Sequence, residues 1–418
     1  MRYLYTLLLY LAMPFVMLRL LWRSRKVTGY RKRWPERFGY IPAVKGKSIW
    51  IHAVSVGETL AAIPLIKTLL TRHPDYTVIV TTTTPTGSEQ VLKNFKDQVH
   101  HVYSPMDLPT VINRFLDRCH PDLCIIMETE LWPNLLHCIH ARNIPLLLAN
   151  ARLSERSCRG YQRIAAITRE MLSHISLVAA QSTLDGERFA ALGLDRQKLL
   201  VTGNIKFDLQ LPQSLLAEGK QLRSHWGNRP TLIAASTHEG EETIVLNAFK
   251  KIREQYADAL LILVPRHPDR FKRVAKLCQA EQFTIAQHSL KQLPDTHTDI
   301  LLGDTMGELR LLYAASDIAF VGGSIVPVGG HNLIEPAIIG LPILTGHHLH
   351  NFIAISQLLK DANAVIIVEN ENMITDAIIK LLNDKSFSAA MGQRAYDVCA
   401  ANTGALERHL QWIESHFN

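Results

Sequence analysis

The sequence contains no C-x-x-C pair, no H-E-x-x-H or related ligand spacing, no internal repeat and no low-complexity tract. Its six cysteines, Cys119, Cys124, Cys138, Cys158, Cys278 and Cys399, are scattered, which excludes a disulfide framework or zinc knuckle and fits a reducing compartment. Nineteen histidines are many, but without ligand spacing they imply no bound structural metal. A cleaved signal peptide is not expected either. The first apolar run is long, lacks a small-residue cleavage site and is followed by its charges instead of preceded by them.

Residues 3–22, YLYTLLLYLAMPFVMLRLLW, are nearly uncharged. At about 1.5 Å per residue they are long enough to cross a hydrocarbon core of about 30 Å, although Arg19 and Pro14 leave a span and an interfacial helix both open. Much of the net charge of +7 follows in Arg23, Arg25, Lys26, Arg31, Lys32, Arg33 and Arg37. Such a collar belongs on a cytoplasmic membrane face, so the remainder of the chain is expected in the cytoplasm.

With 418 residues and 47% hydrophobic content, the chain can bury two cores. Apolar runs at 47–54, 76–84, 100–103, 122–128, 144–150, 176–181 and 198–203 alternate with helical patterns. A second series lies at 231–236, 259–265, 298–302, 317–322, 341–346 and 364–369. Strand, helix, strand in this order predicts two doubly wound parallel sheets facing a cleft, with ligands beyond the C-terminal ends of the strands. The expected segments are a membrane anchor at 1–22, an acceptor-binding domain at 23–203 and a nucleotide-binding domain at 204–418, whose last helices are free to pack back on the first domain.

The stretch FVGGSIVPVGGHNLIEP (320–336) ends a strand in Gly322, Gly323 and Ser324 and has a second pair at Gly329 and Gly330. It then opens a helix near Asn332, Leu333, Ile334 and Glu335. Glycine pairs and a helix N-terminus together suit a phosphate, with Glu335 placed to accept from ribose hydroxyls. Arg266, between Pro265 and His267, leaves a strand and would pair with phosphate. The Met306-Gly307-Glu308-Leu309 turn would offer backbone groups to a base or ribose.

In the first half, Ser55, Gly57 and Glu58 follow a strand. Glu58 reads equally as a general base, ionised by the helix dipole, or as the partner of Ser55 in a capping box. Glu128 and Glu130 lie two apart after an apolar strand, either as a carboxylate site or as a helix-capping arrangement. Thr86 and Ser88 could hold sugar hydroxyls, Asn150, Arg152 and Ser154 an anionic acceptor, and Lys206 a leaving phosphate.

HAVSVGETLAAIPL, TPTGSE, METELWPN, NARLSERS, GNIKFD, STHEGEE, VPRHP, GDTMGELRLLY, FVGGS and GGHNLIEP stand in this order behind the apolar segment. Together they resemble the 3-deoxy-D-manno-octulosonic acid (Kdo) transferases of lipopolysaccharide biosynthesis. The resemblance implies the GT-B glycosyltransferase fold, work at the inner membrane, and inverting transfer of Kdo from CMP-Kdo to a lipid A precursor without cofactor or metal. It also implies that Glu58 is the general base and that Glu128, with Glu130 as the other candidate, and Lys206 stabilise the transition state. Pro265, Arg266, Met306 to Leu309 and Asn332 to Glu335 would form the CMP site. A GT-B transferase using a UDP-sugar, or a non-catalytic nucleotide-sugar binder, shares the two halves; CMP-against-UDP competition and the effect of losing Glu58 separate them.

Overall fold

The computed structural model describes every residue except Lys26, Gln210, Gln213 and Asn418, so Lys26 of the expected collar lies outside the described residues. The chain divides into two compact units, Met1–Asp208 with Thr403–Asn418, and Leu209–Asn402.

Among the described residues, the first unit holds a seven-stranded parallel sheet. Its strands are β1 (Ser48–His52), β2 (Thr77–Thr82), β3 (His100–Tyr103), β4 (Leu123–Met127), β5 (Leu146–Ala151), β6 (Leu177–Ala180) and β7 (Leu199–Val201), in the order β3-β2-β1-β4-β5-β6-β7. Ile49 and Ile51 of β1 pack into one buried cluster and Trp50 into another on the opposite face. A strand covered on both faces must be apolar at every position, which is why these runs read as continuous and not alternating.

The second unit repeats the plan with β8 (Thr231–Thr237), β9 (Leu260–Pro265), β10 (Ile285–Gln287), β11 (Ile300–Leu302), β12 (Ile318–Val321), β13 (Ile343–Thr345) and β14 (Val365–Ile367). Their order is β10-β11-β9-β8-β12-β13-β14, again parallel throughout. The sequence pattern missed β10. Three residues at a sheet edge, only one of them fully buried, leave almost no apolar signature.

The strand order reverses at β1/β4 in the first sheet and at β8/β12 in the middle of the second. There the connections leave neighbouring strands for opposite faces, and a crevice opens at the strand C-termini. Glu58 follows β1, Glu128 follows β4, His238 follows β8 and Gly323 follows β12.

The boundary between the units falls after Asp208, a few residues later than expected, and the last helix packs back on the first unit, which the sequence left open. Residues 204–208 complete the first unit, and the helix Ala405–Glu414 returns to it, burying Ala405, Leu410 and Ile413 in the cluster that holds Ile49 and Ile205. Polar groups fasten it: Asp208 accepts from the N–H groups of Gly404 and Leu406, and His409 accepts the Asn150 N–H at 2.9 Å.

The helix Arg2–Arg23 has the length and apolarity to cross a membrane and buries none of its residues. Tyr5 donates to Asp107 at 2.8 Å, Thr6 to Asn134 at 2.8 Å, and the hydroxyls of Tyr10 and Thr110 lie 2.9 Å apart, while Tyr3, Leu7, Leu11, Phe15, Leu18 and Trp22 stay exposed. The collar is smaller than the sequence suggests. Arg37 is buried against the Tyr103 ring and donates to Thr83 O, and Arg33 bonds Glu36 and His101, which leaves Arg23, Arg25, Arg31 and Lys32 exposed.

Candidate functional site

The helix Val56–Arg72 starts directly beyond β1, and its first turn carries Glu58, which is only 5% exposed. Ser55 caps the helix, accepting the Glu58 N–H at 3.3 Å and donating its hydroxyl to Glu58 Oε1 at 2.6 Å; the Val54 N–H reaches Oε2 at 2.8 Å. The capping pair is therefore present, but it does not keep the carboxylate acidic as the helix dipole alone would. Burial raises the Glu58 pKa to about 7, with Glu130 and Glu128 adding to it and the Ser55 and Val54 bonds opposing it. A carboxylate with this pKa can both hold and release a proton near neutrality, as a general base must.

Beyond β4 the chain turns through Glu128 in a left-handed conformation (φ 56°), which ends the strand. Lys206 Nζ lies 3.5 Å from Glu128 Oε1. Lys206 was expected to face a leaving phosphate; its ammonium is instead paired with this carboxylate. Glu130 accepts the Trp132 indole N–H at 2.7 Å, and burial, partly offset by that bond, raises its pKa. Trp132 rests edge-on against His52 at 4.9 Å, and burial pushes the His52 pKa down to about 3, so the ring behind Trp132 is neutral.

Other expected acceptor residues are not all available. Thr84, not a later residue, caps the helix Pro85–Phe95, so Thr86 is exposed in the first turn while Ser88 points inward toward His101. Gly57 sits in open space, with only Ser55 Oγ near a would-be Cβ. Arg152 is exposed beside the METE turn, where its carbonyl accepts from Thr129. Asn150 is fully buried and Ser154 caps the next helix, so both serve the fold.

The second unit corrects the expected glycine seat. The carboxylate of Glu241, fully buried, accepts N–H groups from Gly323 at 2.7 Å, Ser324 at 2.9 Å, Ile325 at 3.0 Å and His238 at 2.9 Å. The loop donors that were to cradle a phosphate are already spent on a carboxylate. Ser324 is buried, donating to Val321 O and accepting the Gly346 N–H, and Gly322 packs so tightly on Ser236 and Thr237 that no side chain would fit. Leu333 and Ile334 bury their side chains, and the Ile334 N–H is held by Asn332 Oδ1 at 3.1 Å.

Arg266 and three histidines gather beside this loop. Arg266 leaves β9 exposed, held by its N–H to Thr237 O, with His267 beside it. His267 lies 5.3 Å from His238, whose Nε2 is 2.8 Å from that of His331, and burial, Arg266 and the other two histidines push His331 down to about 3. Gly323 is needed here, because a Cβ would lie 2.7 Å from the His331 ring. Met306 and Gly307 are exposed in the turn before the helix Leu309–Ala314; Glu308 pairs with His288 at 3.3 Å. Glu335, the second residue of the short helix Ile334–Ile339, is held by Arg310 at 3.1 Å. Glu241, Arg310, His238 and His331 were not singled out individually; the one hint was the STHEGEE run, whose carboxylates open a helix behind a buried strand.

Residues 32–209 match the family described as 3-deoxy-D-manno-octulosonic-acid transferase (kdotransferase), and residues 236–398 match glycosyl transferases group 1. The 3-deoxy-D-manno-octulosonic acid transferase of Haemophilus influenzae is 44% identical, over 99% of this chain and 98% of its own. That of Bordetella pertussis is 36% identical over 98% of both chains. Among solved structures, a protein of the UDP-N-acetylglucosamine 2-epimerase type from Listeria monocytogenes superposes with a TM-score of 0.57 at 17% identity, covering 89% of this chain and 97% of its own. That likeness concerns the fold, a GT-B-like pairing of two parallel sheets.

Proposed function

Since the chain belongs to the Kdo transferase family, and is therefore a glycosyltransferase, we propose that it transfers Kdo from CMP-Kdo to a glucosamine hydroxyl of a lipid A precursor such as lipid IVA, with inversion. Glu58 carries this reading: its buried carboxylate with a pKa near 7 suits removal of a hydroxyl proton. As that proton moves to Glu58, the hydroxyl oxygen attacks the anomeric carbon from the face opposite the phosphate. The bond from that carbon to the phosphate oxygen breaks, and CMP leaves with its electron pair. The transition state has oxocarbenium character, which a carboxylate at Glu128, ion-paired with Lys206, stabilises electrostatically.

The donor belongs to the second unit. Arg266 and the His238–His267–His331 group supply donors for the phosphate, the turn at 306–309 meets the base or ribose, and Glu335, oriented by Arg310, accepts from the ribose diol. The transfer itself proceeds without a divalent ion. The acceptor's acyl chains stay in the bilayer of the inner membrane, on its cytoplasmic side, where the exposed apolar helix Arg2–Arg23 and Arg23, Arg25, Arg31 and Lys32 hold the enzyme against anionic lipid.

The test is an assay of the detergent-solubilised chain with CMP-Kdo and tetraacylated precursor, in chelator, following the acceptor by mass spectrometry. A gain of one or more Kdo masses is expected. No gain while CMP still binds would overturn the acceptor, and a gain only with added metal would overturn the metal-free step.

A further inference from the structure

We propose that His137, Glu170 and His174 form a binding site for a divalent transition-metal ion of the zinc class. The sequence reading expects no structural metal, because the histidines form no H-E-x-x-H or related motif. The fold assembles the set from two helices. His137 is on Pro133–His140; Glu170 is on Ala165–Ser173, and His174 continues that helix in right-handed conformation, so it stands four residues beyond Glu170 on the same face.

One ligating atom from each of the three lies within 4.8 Å of the others. Ligands on a tetrahedral zinc ion stand about 3.4 Å apart, so small side-chain rotations close the set. Both ring nitrogens of His174 and Nδ1 of His137 are buried with no hydrogen-bond partner. A neutral imidazole carries one donor and one acceptor, and an unmet buried polar atom is destabilising, so these nitrogens call for a partner that the described residues do not supply. Two imidazoles and one carboxylate suit zinc, nickel or cobalt better than calcium or magnesium, and three protein ligands leave a position for water.

The surroundings fit a helix staple. His140 stacks on His174 at 4.5 Å, which fixes the ring plane. Arg2 Nε lies 4.0 Å from Glu170 Oε1 and Arg2 Nη1 lies 3.4 Å from Asn134 Oδ1, so the start of the apolar helix meets the same corner and its guanidinium competes with the ion. The helix Pro133–His140 leads away from the carboxylates beyond β4 and places His137 past its first turn, which separates this site from the proposed transfer chemistry.

The chain, purified in detergent and stripped with chelator, is titrated with Co²⁺ and then Zn²⁺. One Co²⁺ per chain with visible d–d bands, displaced by one Zn²⁺, is expected. Glu170→Gln, a change at an exposed position that preserves shape, should weaken binding at least about tenfold, as should His137→Ala and His174→Ala, whereas the exposed His225→Ala should not. Arg2→Gln should tighten it. Far-UV circular dichroism of the stripped variants must match the wild type, and Zn²⁺ should raise the Tm of the wild type but not of Glu170→Gln. Unchanged binding in all three ligand variants, or no d–d bands at one equivalent, overturns the site. None of these readouts depends on transferase activity.

Discussion

Glu58 is both a helix-capping partner and the base of the proposed transfer. The Ser-x-x-Glu spacing was legible as a cap or as a base, and the structure contains the cap while burial supplies the basicity, a term that no local spacing encodes. Because the base must be ionised, kcat/KM is expected to fall by one proton's slope below pH 7 and to level above it, and Glu58→Gln should lower turnover about 10²–10⁴-fold with CMP-Kdo binding kept. The linkage sign is opposite for stability. A folded pKa of about 7 against an ordinary 4.5 means that the folded state holds the proton more tightly, so stability is lost as pH rises from about 4.5 through 7. Glu58→Gln should therefore stabilise the protein at pH 8, by up to about 3 kcal/mol, with the gain vanishing near pH 4; thermal melts at the two pH values check this. Lys206 was singled out as a cation for a leaving phosphate, and its pairing with Glu128 was not legible, because the two lie 78 positions apart in the chain.

At the scale of elements, thirteen of the fourteen strands among the described residues carry a readable apolar run, and β10 does not. The glycine-rich stretch was legible as a site and misread in its chemistry. Two glycine pairs announce close approach, yet what approaches Gly322 and Gly323 is Glu241 and His331, brought from the β8 connection and from the far end of the same loop. Glu241 ties this loop to the connection after β8, accepting three N–H groups of the loop and that of His238, each bond to a carboxylate contributing about 1.5–3 kcal/mol. Glu241→Ala should cost the second unit at least about 3 kcal/mol in urea unfolding and weaken CMP binding. A variant with unchanged CMP affinity would separate the loop from the nucleotide. Glu335 reads from the sequence as an acceptor for ribose hydroxyls, whereas Arg310, which holds its carboxylate, sits on a helix whose pattern is merely apolar.

For the whole molecule, two alternating series of runs were enough to expect two doubly wound sheets, but the reach of the last helix was not readable, since Leu410 and Ile413 look like any amphipathic pair. The apolar N-terminal helix sets the expected lipid behaviour. The full chain should sediment with vesicles containing anionic lipid, less strongly as salt rises from 0.1 to 0.5 M, and a chain lacking residues 1–22 should lose most of that binding. Retention of full binding by the shortened chain would assign the membrane contact elsewhere. The return of Ala405–Glu414 to the first unit also sets an order of biosynthesis. Residues 209–402 form a contiguous unit that can fold as it leaves the ribosome, while the core around Ile49 waits unsealed until Leu410 and Ile413 have been made. At about 5–20 residues per second that wait lasts tens of seconds, during which the growing chain presents an open apolar face to chaperones and already carries its apolar N-terminal helix.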